Sequence, residues 1–246
     1  MNHTCITIEG GLLAPDFLET IADAEGQKAS DFGLTGRRTL VDEVSAIWSD
    51  VRSYWDAFQR RLERSTDESR TTVTREQWMI PLLEALGYSL THHRSGVAIN
   101  GRNYVISHRT GDTDEDLPVH IEAYDQDLGS RPASGRGTMS PHAMLQDYLN
   151  RTEHLWGIVT NGSTLRLLRD SSYFTRPSYI EFDLQQMLEG ERLDEFFLFY
   201  RLVHRTRLPK TMEDGDACLL EKYHQLGIEQ GGRIRDGLRD AVESAI

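Results

Sequence analysis

The sequence predicts an α/β fold, a mixed sheet flanked by helices with an N-terminal helix and a C-terminal helical extension. Three observations predict it. Trp48, Val51, Trp55, Phe58 and Leu62 recur at steps of three and four, which aligns them on one face of a helix. Asn100-Gly101 stands between the apolar runs Val97-Ala98-Ile99 and Tyr104-Val105-Ile106, the strongest short-range signal of a β-hairpin. Two strand-like runs, 119–123 and 156–160, are separated by a segment that opens with Ser140-Pro141, a helix N-cap followed by a first-turn proline. Helix, hairpin, strand, helix and strand in that order call for an α/β core.

Element by element, residues 1–40 are Gly-rich and suggest a loosely packed arm with one short apolar segment at Phe17, Leu18 and Ile21. The amphipathic helix spans about 40–64, and a polar linker covers about 65–72. Thr74 and Gln77 have capping-box spacing. Trp78, Leu82, Leu83 and Leu86 give that helix its buried face, Pro81 bends it or lies in its first turns, and Gly87 stops it. The hairpin follows, then the acidic run Asp112-Thr113-Asp114-Glu115-Asp116, the strand at 119–123 and a Gly/Ser/Pro/Arg loop at 129–140. A helix from Ser140 runs to about Glu153. Asn161-Gly162 turns the strand at 156–160 into a second one at 165–169, and Tyr179–Phe182 adds another. Helices are expected at 184–188, 193–203 and from Cys218 to the C-terminus. There is no internal repeat. The divisions are 1–72 (arm and amphipathic helix), 73–185 (α/β core) and 186–246 (helical extension).

Composition narrows the function classes. A chain of 246 residues with 38% hydrophobic and 27% charged residues can bury one substantial core. No apolar run approaches the roughly 20 residues that cross a bilayer, so no membrane partner is expected. Met1-Asn2-His3-Thr4 lacks the basic and apolar regions of a signal peptide, and the two cysteines lie near opposite ends; both fit a reducing cytoplasm. The net charge of −12 argues against strong autonomous nucleic-acid binding unless the charge is segregated. Positive charge is carried mostly by arginine, which suits phosphate and base contact, although such a bias also follows from genome composition.

Four phrases then carry a resemblance. They are Ile80-Pro81-Leu82-Leu83-Glu84-Ala85-Leu86-Gly87-Tyr88; Tyr104-Val105-Ile106-Ser107-His108-Arg109; the stretch from Tyr148 through Trp156-Gly157-Ile158-Val159-Thr160-Asn161-Gly162; and Tyr179-Ile180-Glu181-Phe182-Asp183-Leu184. Together, in this order, they resemble the N-terminal region of type IIG-like restriction-modification adenine-specific DNA methylases, including the BREX and DISARM phage-defence methylases. The Trp-Gly-Ile-Val-Thr-Asn-Gly phrase also resembles type I restriction subunits. The resemblance implies a restriction-endonuclease-like core at about 73–185 that carries a Glu-x-Lys strand. In such nucleases the carboxylate holds Mg²⁺, and the lysine steadies the attacking water and the developing charge.

Carried over residue by residue, the nuclease pattern is degenerate. Its helical glutamate corresponds to Glu76, its metal-binding Asp to Asn103, its Glu-x-Lys to Glu122-Ala123-Tyr124, and its helical Gln to Gln146. Asn103 brings a carbonyl but no charge, and Tyr124 supplies no cation. No lysine lies between Lys28 and Lys210. The acids Asp112, Asp114 and Asp116 are candidates to rebuild a metal site with Glu122, or else simply a solvated turn; the run lacks the Gly and terminal Glu of an EF-hand loop. Arg102, Arg109, Arg131 and Arg136 are the candidate DNA contacts, with an ordinary surface loop as the alternative for the last two. The histidines at 92, 93, 108, 120 and 142 match no zinc spacing, and Trp48 and Trp55 read as core rather than base-stacking residues.

The methylase motifs themselves are absent: no Gly-rich loop follows a strand, and no Asn-Pro-Pro-Tyr-type motif occurs. The expectation is therefore a truncated protein, an isolated domain or a subunit whose methylase lies elsewhere, in cis or in trans. The first functional reading is a non-cleaving DNA-engaging or scaffold module of a bacterial restriction-modification or phage-defence methylase, with double-stranded DNA as partner and no cofactor. The second is an active endonuclease that requires Mg²⁺. The third is a protein-interaction subunit without direct DNA contact.

Overall fold

The computed structural model describes the chain except residues 1, 2, 15, 65–68, 125, 133–138, 172–177, 245 and 246, and except the side chains of 234, 235 and 237–246. Its strands are β1 (Ile6–Glu9), β2 (Thr91–His92), β3 (Val97–Ile99), β4 (Arg102–Tyr104), β5 (His108–Arg109), β6 (Pro118–Ile121), β7 (Trp156–Thr160), β8 (Thr164–Arg169) and β9 (Tyr179–Asp183). The α-helices are α1 (Phe17–Thr20), α2 (Leu40–Arg64), α3 (Arg70–Thr74), α4 (Ile80–Ala85), α5 (Pro141–Leu149), α6 (Leu184–Glu189), α7 (Leu193–Val203) and α8 (Leu219–Ser244).

Seven strands form one mixed sheet in the order β1-β9-β8-β7-β6-β5-β2. Strand β5 runs antiparallel to both of its neighbours, β2 and β6; β6 and β7 are parallel, with Val119 opposite Ile158; from β7 through β8 and β9 to β1 each neighbouring pair is again antiparallel. The parallel pair requires a crossover, and α5 supplies it. Strand alternation then divides the core between two faces. Ile121, Ile158, Leu167 and Phe182 face the larger cluster, built with Trp55, Phe58, Trp78, Leu83 and Phe196. Val159 and Leu168 face the smaller cluster with Leu145, Leu149, Tyr104 and Tyr148. Helix α5 lies close against β7: a Cβ added at Gly157 would stand 3.3 Å from the Leu145 and Leu149 side chains.

Several sequence expectations correspond to observed elements. Helix α2 follows the Trp48–Trp55 stripe, and both tryptophans are buried. Asn100 and Gly101 both have positive φ, 49° and 78°, as a two-residue hairpin turn demands, and β3 and β4 pair across them. The second hairpin strand is nevertheless Arg102–Tyr104 rather than 104–106, and the hairpin forms a separate two-stranded sheet. Ser140 Oγ accepts the Ala143 N–H at 3.2 Å, so the expected N-cap forms; α5 ends at Leu149, a turn earlier than expected.

Two expectations fail. The segment at 1–40 is not loosely packed: β1 extends the sheet beside β9, and Cys5, Leu12, Leu13, Ile21 and Phe32 are buried. Thr74 is not a helix cap. Helix already begins at Arg70, where part of the expected linker lay, and Thr74 Oγ1 donates to the Arg70 carbonyl at 2.8 Å. A π-turn at Arg75–Met79 intervenes before α4. Pro81 explains its place, because proline has no N–H to give and its ring crowds the preceding carbonyl turn, so the helix widens there. Trp78 Nε1 then donates to the Gly162 carbonyl at 2.7 Å, which ties this helix to the β7–β8 turn.

The C-terminal helix is fastened by a buried ion pair. Arg169 on β8 holds Glu221 on α8 through two hydrogen bonds of 2.8 and 2.9 Å. Burial raises the Glu221 carboxyl pKa, but hydrogen bonds from Arg169 and Gln225 outweigh it and the net shift is downward. Glu221→Ala leaves a guanidinium buried without its partner and should cost about 3–5 kcal/mol. The exposed Arg52–Glu191 pair should contribute no more than about 1 kcal/mol. Urea unfolding of Glu221→Ala and Arg52→Ala measures the contrast; equal losses would show that the buried pair fastens nothing.

Candidate functional site

Strand β6 ends at Ile121, and Glu122 follows at once, its N–H donating to the Thr160 carbonyl of β7 at 2.8 Å. The chain thus delivers Glu122 to the point where the parallel strands part. His120, two residues earlier, lies on the same side of the strand. The two side chains line a cavity of about 630 Å³ bounded by the β3–β4 hairpin and the start of α5; Arg102, Asn103, Val105, Met139, Pro141 and Met144 also line it.

The His120 ring has a defined tautomer. Its Nδ1 accepts the Ser107 backbone N–H at 3.3 Å, so the ring proton is on Nε2, which donates to Glu122 Oε1 at 3.0 Å. Ser107 in turn accepts the Ile121 N–H at 2.9 Å through Oγ. A serine hydroxyl thus replaces a rung of the β5–β6 ladder and holds the His120–Glu122 pair in place. Among the described residues the second Glu122 oxygen has no hydrogen-bond partner. Asn103 stands on β4 over Gly96, where any Cβ would collide with its amide.

The sequence-derived site is only partly assembled. Glu122 and Asn103 share the cavity. Tyr124 does not join them. It packs on the opposite face against Trp55 and Phe58, with ring centroids 6.1 and 5.4 Å away, donates its hydroxyl to Gln185 and its N–H to Thr74 Oγ1, and has a phenol pKa raised by burial. Residues i and i+2 share a face only while the strand continues, and β6 ends before Tyr124. Gln146 is occupied in fastening α5 to β8, donating to the Arg169 carbonyl at 2.9 Å and to Asn150. Glu76 is an exposed partner of Arg75 on the π-turn. Neither lines the cavity.

The acidic run cannot rebuild a metal site with Glu122, because it lies at the other end of β6. At about 3.3 Å per residue the extended stretch from Asp116 to Glu122 spans roughly 20 Å. Each aspartate of the run has a local partner: Asp112 accepts from Thr91, Asp114 pairs with Arg109 at 3.2 Å, and Asp116 closes its own turn on Thr113. Val105, on the segment that leads into β5, also lines the cavity. Among the described residues no three His, Cys, Asp or Glu side chains are grouped to hold a metal ion. Among the described residues that line the cavity, Glu122 is the one carboxylate, and it is engaged by an imidazole N–H.

The arginine assignments also change. Arg109 is 1% exposed and bonded to Tyr148 Oη at 3.0 Å, with its guanidinium 5.4 Å from the Tyr148 ring centroid, so it belongs to the core and does not contact DNA. Arg102 is tied to Asp147 at 2.5 Å at the cavity rim. Asp147 also accepts from Tyr104 and Arg151; burial raises its pKa, but these three donors prevail and the net shift is downward. Arg131 is exposed, and Arg136 lies outside the described residues. Sequence reasoning does not single out Ser107 or Val105, and it weighs His120 only against a zinc spacing. The period-two alternation of Val119-His120-Ile121-Glu122 already paired His120 with Glu122.

These features define an α/β protein with a seven-stranded mixed sheet and a polar pair at the end of its central parallel strand. No protein-family model, no curated protein and no solved structure matches the chain.

Buried histidines give the stability of this fold a pH signature. Burial lowers His108 to about 3, and lowers His154 and His204 to about 4, from the ordinary 6.5. Because these folded values lie below the unfolded one, only the unfolded chain takes up protons between them. Stability is then full above about pH 6.5 and falls as pH drops toward 4, by up to about 1.4 kcal/mol per pH unit for each histidine. Thermal unfolding should move to lower temperature between pH 7 and pH 5, before the carboxylates titrate; a flat profile would contradict neutral burial.

Proposed function

We infer that the chain is a non-cleaving, DNA-engaging module on a restriction-endonuclease-like frame, serving a restriction-modification or phage-defence methylase in cis or in trans. Supporting the frame is the order helix, three antiparallel strands, crossover helix and parallel strand, from α4 through β2, β5, β6 and α5 to β7. It places a carboxylate at the end of the third strand of that core, where the resembled nucleases keep theirs. The observation that carries the non-cleaving reading is the company Glu122 keeps: His120, Asn103 and Val105, with neither a second acid nor a lysine among the described residues that line the cavity. The exposed guanidinium of Arg131 is the remaining described candidate for backbone contact. A protein-interaction role is the second reading, favoured by Leu226 and Ile228, which stand 53% and 43% exposed on α8.

Electrophoretic shift of duplex DNA across a salt series, run in parallel with a nicking assay in Mg²⁺ and Mn²⁺, tests both. Salt-sensitive binding without product is expected, and Arg131→Ala should reduce the salt slope by about one. Nicking that Glu122→Gln abolishes would overturn the non-cleaving reading. Absence of any shift at low salt would leave the protein-interaction reading in its place.

A further inference from the structure

The cavity beside Glu122 suits a ligand of definite chemistry. Its volume, about 630 Å³, lies within the roughly 300–1,000 Å³ typical of small-molecule sites. Val105, Met139, Pro141 and Met144 make its walls largely apolar, and methionine sulfur is a favourable neighbour for a flat aromatic ring. Among the described residues its polar groups are few. Glu122 offers an acceptor oxygen that no described residue uses, and its orientation is set by His120 and, through His120, by Ser107. Asn103 also lines the cavity, with its amide packed over Gly96. An anion does not suit this site, because the carboxylate repels it and Arg102 is already committed to Asp147.

We propose that the cavity receives an unstacked nucleobase presenting amino N–H donors to Glu122, guanine above the others. Guanine sets a ring N–H and an amino group side by side, matching the open Glu122 oxygen and the lone pair of Oε1 that His120 leaves unused. Cytosine and adenine offer one amino group each. Thymine presents its single N–H between two carbonyls, which the carboxylate repels. Carboxylates accept amino N–H groups from bases in the same manner in duplex recognition, and a base extruded from the stack exposes that edge. The inference rests on the DNA-engaging reading, because a nucleic acid supplies the base.

Saturation-transfer NMR with the four 2′-deoxynucleosides tests it without requiring duplex binding. Deoxyguanosine should receive the strongest transfer and thymidine the weakest. Glu122→Gln should weaken deoxyguanosine at least fivefold. Val105→Trp, at a position 46% exposed and therefore away from the core, should fill the cavity and abolish the transfer while leaving the unfolding midpoint in place. Equal transfer to all four nucleosides, or transfer that survives Val105→Trp, would overturn the proposal. Duplex binding by the same proteins separates the two readings. DNA binding without nucleoside transfer removes the base pocket and leaves the module reading. Nucleoside transfer without DNA binding supports the pocket and removes the module reading.

Discussion

Strand β6 can satisfy its backbone only with β5 antiparallel on one side and β7 parallel on the other. A parallel neighbour demands a crossover, and α5 is that crossover. The rest of the molecule depends on this arrangement. It places β6 and β7 inside the sheet, so Trp156, Ile158 and Val159 are buried and Gly157 must be small enough for α5 to approach. It also ends β6 where α5 begins its return, and that opening is the cavity that Glu122 and His120 line.

Within that opening the chemistry is set by alternation and by one hydroxyl. Residues 120 and 122 share a side, so the partner of Glu122 is an imidazole. Ser107 gives up a ladder rung to fix that imidazole, accepting the Ile121 N–H and presenting its own N–H to His120 Nδ1. The result is a preorganised hydrogen-bond acceptor. Among the described residues no second acid joins it in the cavity, and the acidic run 112–116 is held at the far end of β6 by Thr91, Arg109 and Thr113.

Much of the fold was legible because its signals are local. The stripe in α2, the Asn100-Gly101 turn, the Ser140 cap and the α7 boundaries each depend on a few neighbouring residues. What escaped is set by distant partners. Strand β1 is a four-residue edge strand that forms only because β9 offers a free side, and β2 and β5 are two residues long and carry histidine and arginine in place of an apolar run. Arg109 looked like a surface cation because nothing in the sequence reveals that Tyr148 and Asp114 close over it. At the site, Glu122 and Asn103 came from the resembled nuclease pattern, and both line the cavity. Tyr124 and Gln146 were carried over from the resembled nuclease pattern, and the end of β6 and the demands of β8 took them elsewhere.

The central claim is that Glu122 serves as a hydrogen-bond acceptor and not as a metal ligand. Titration of the protein with Mn²⁺, followed by electron paramagnetic resonance of the free ion, measures this directly. The account predicts that wild-type protein and Glu122→Gln deplete free Mn²⁺ equally. One equivalent of Mn²⁺ bound by the wild type and released by Glu122→Gln would contradict it.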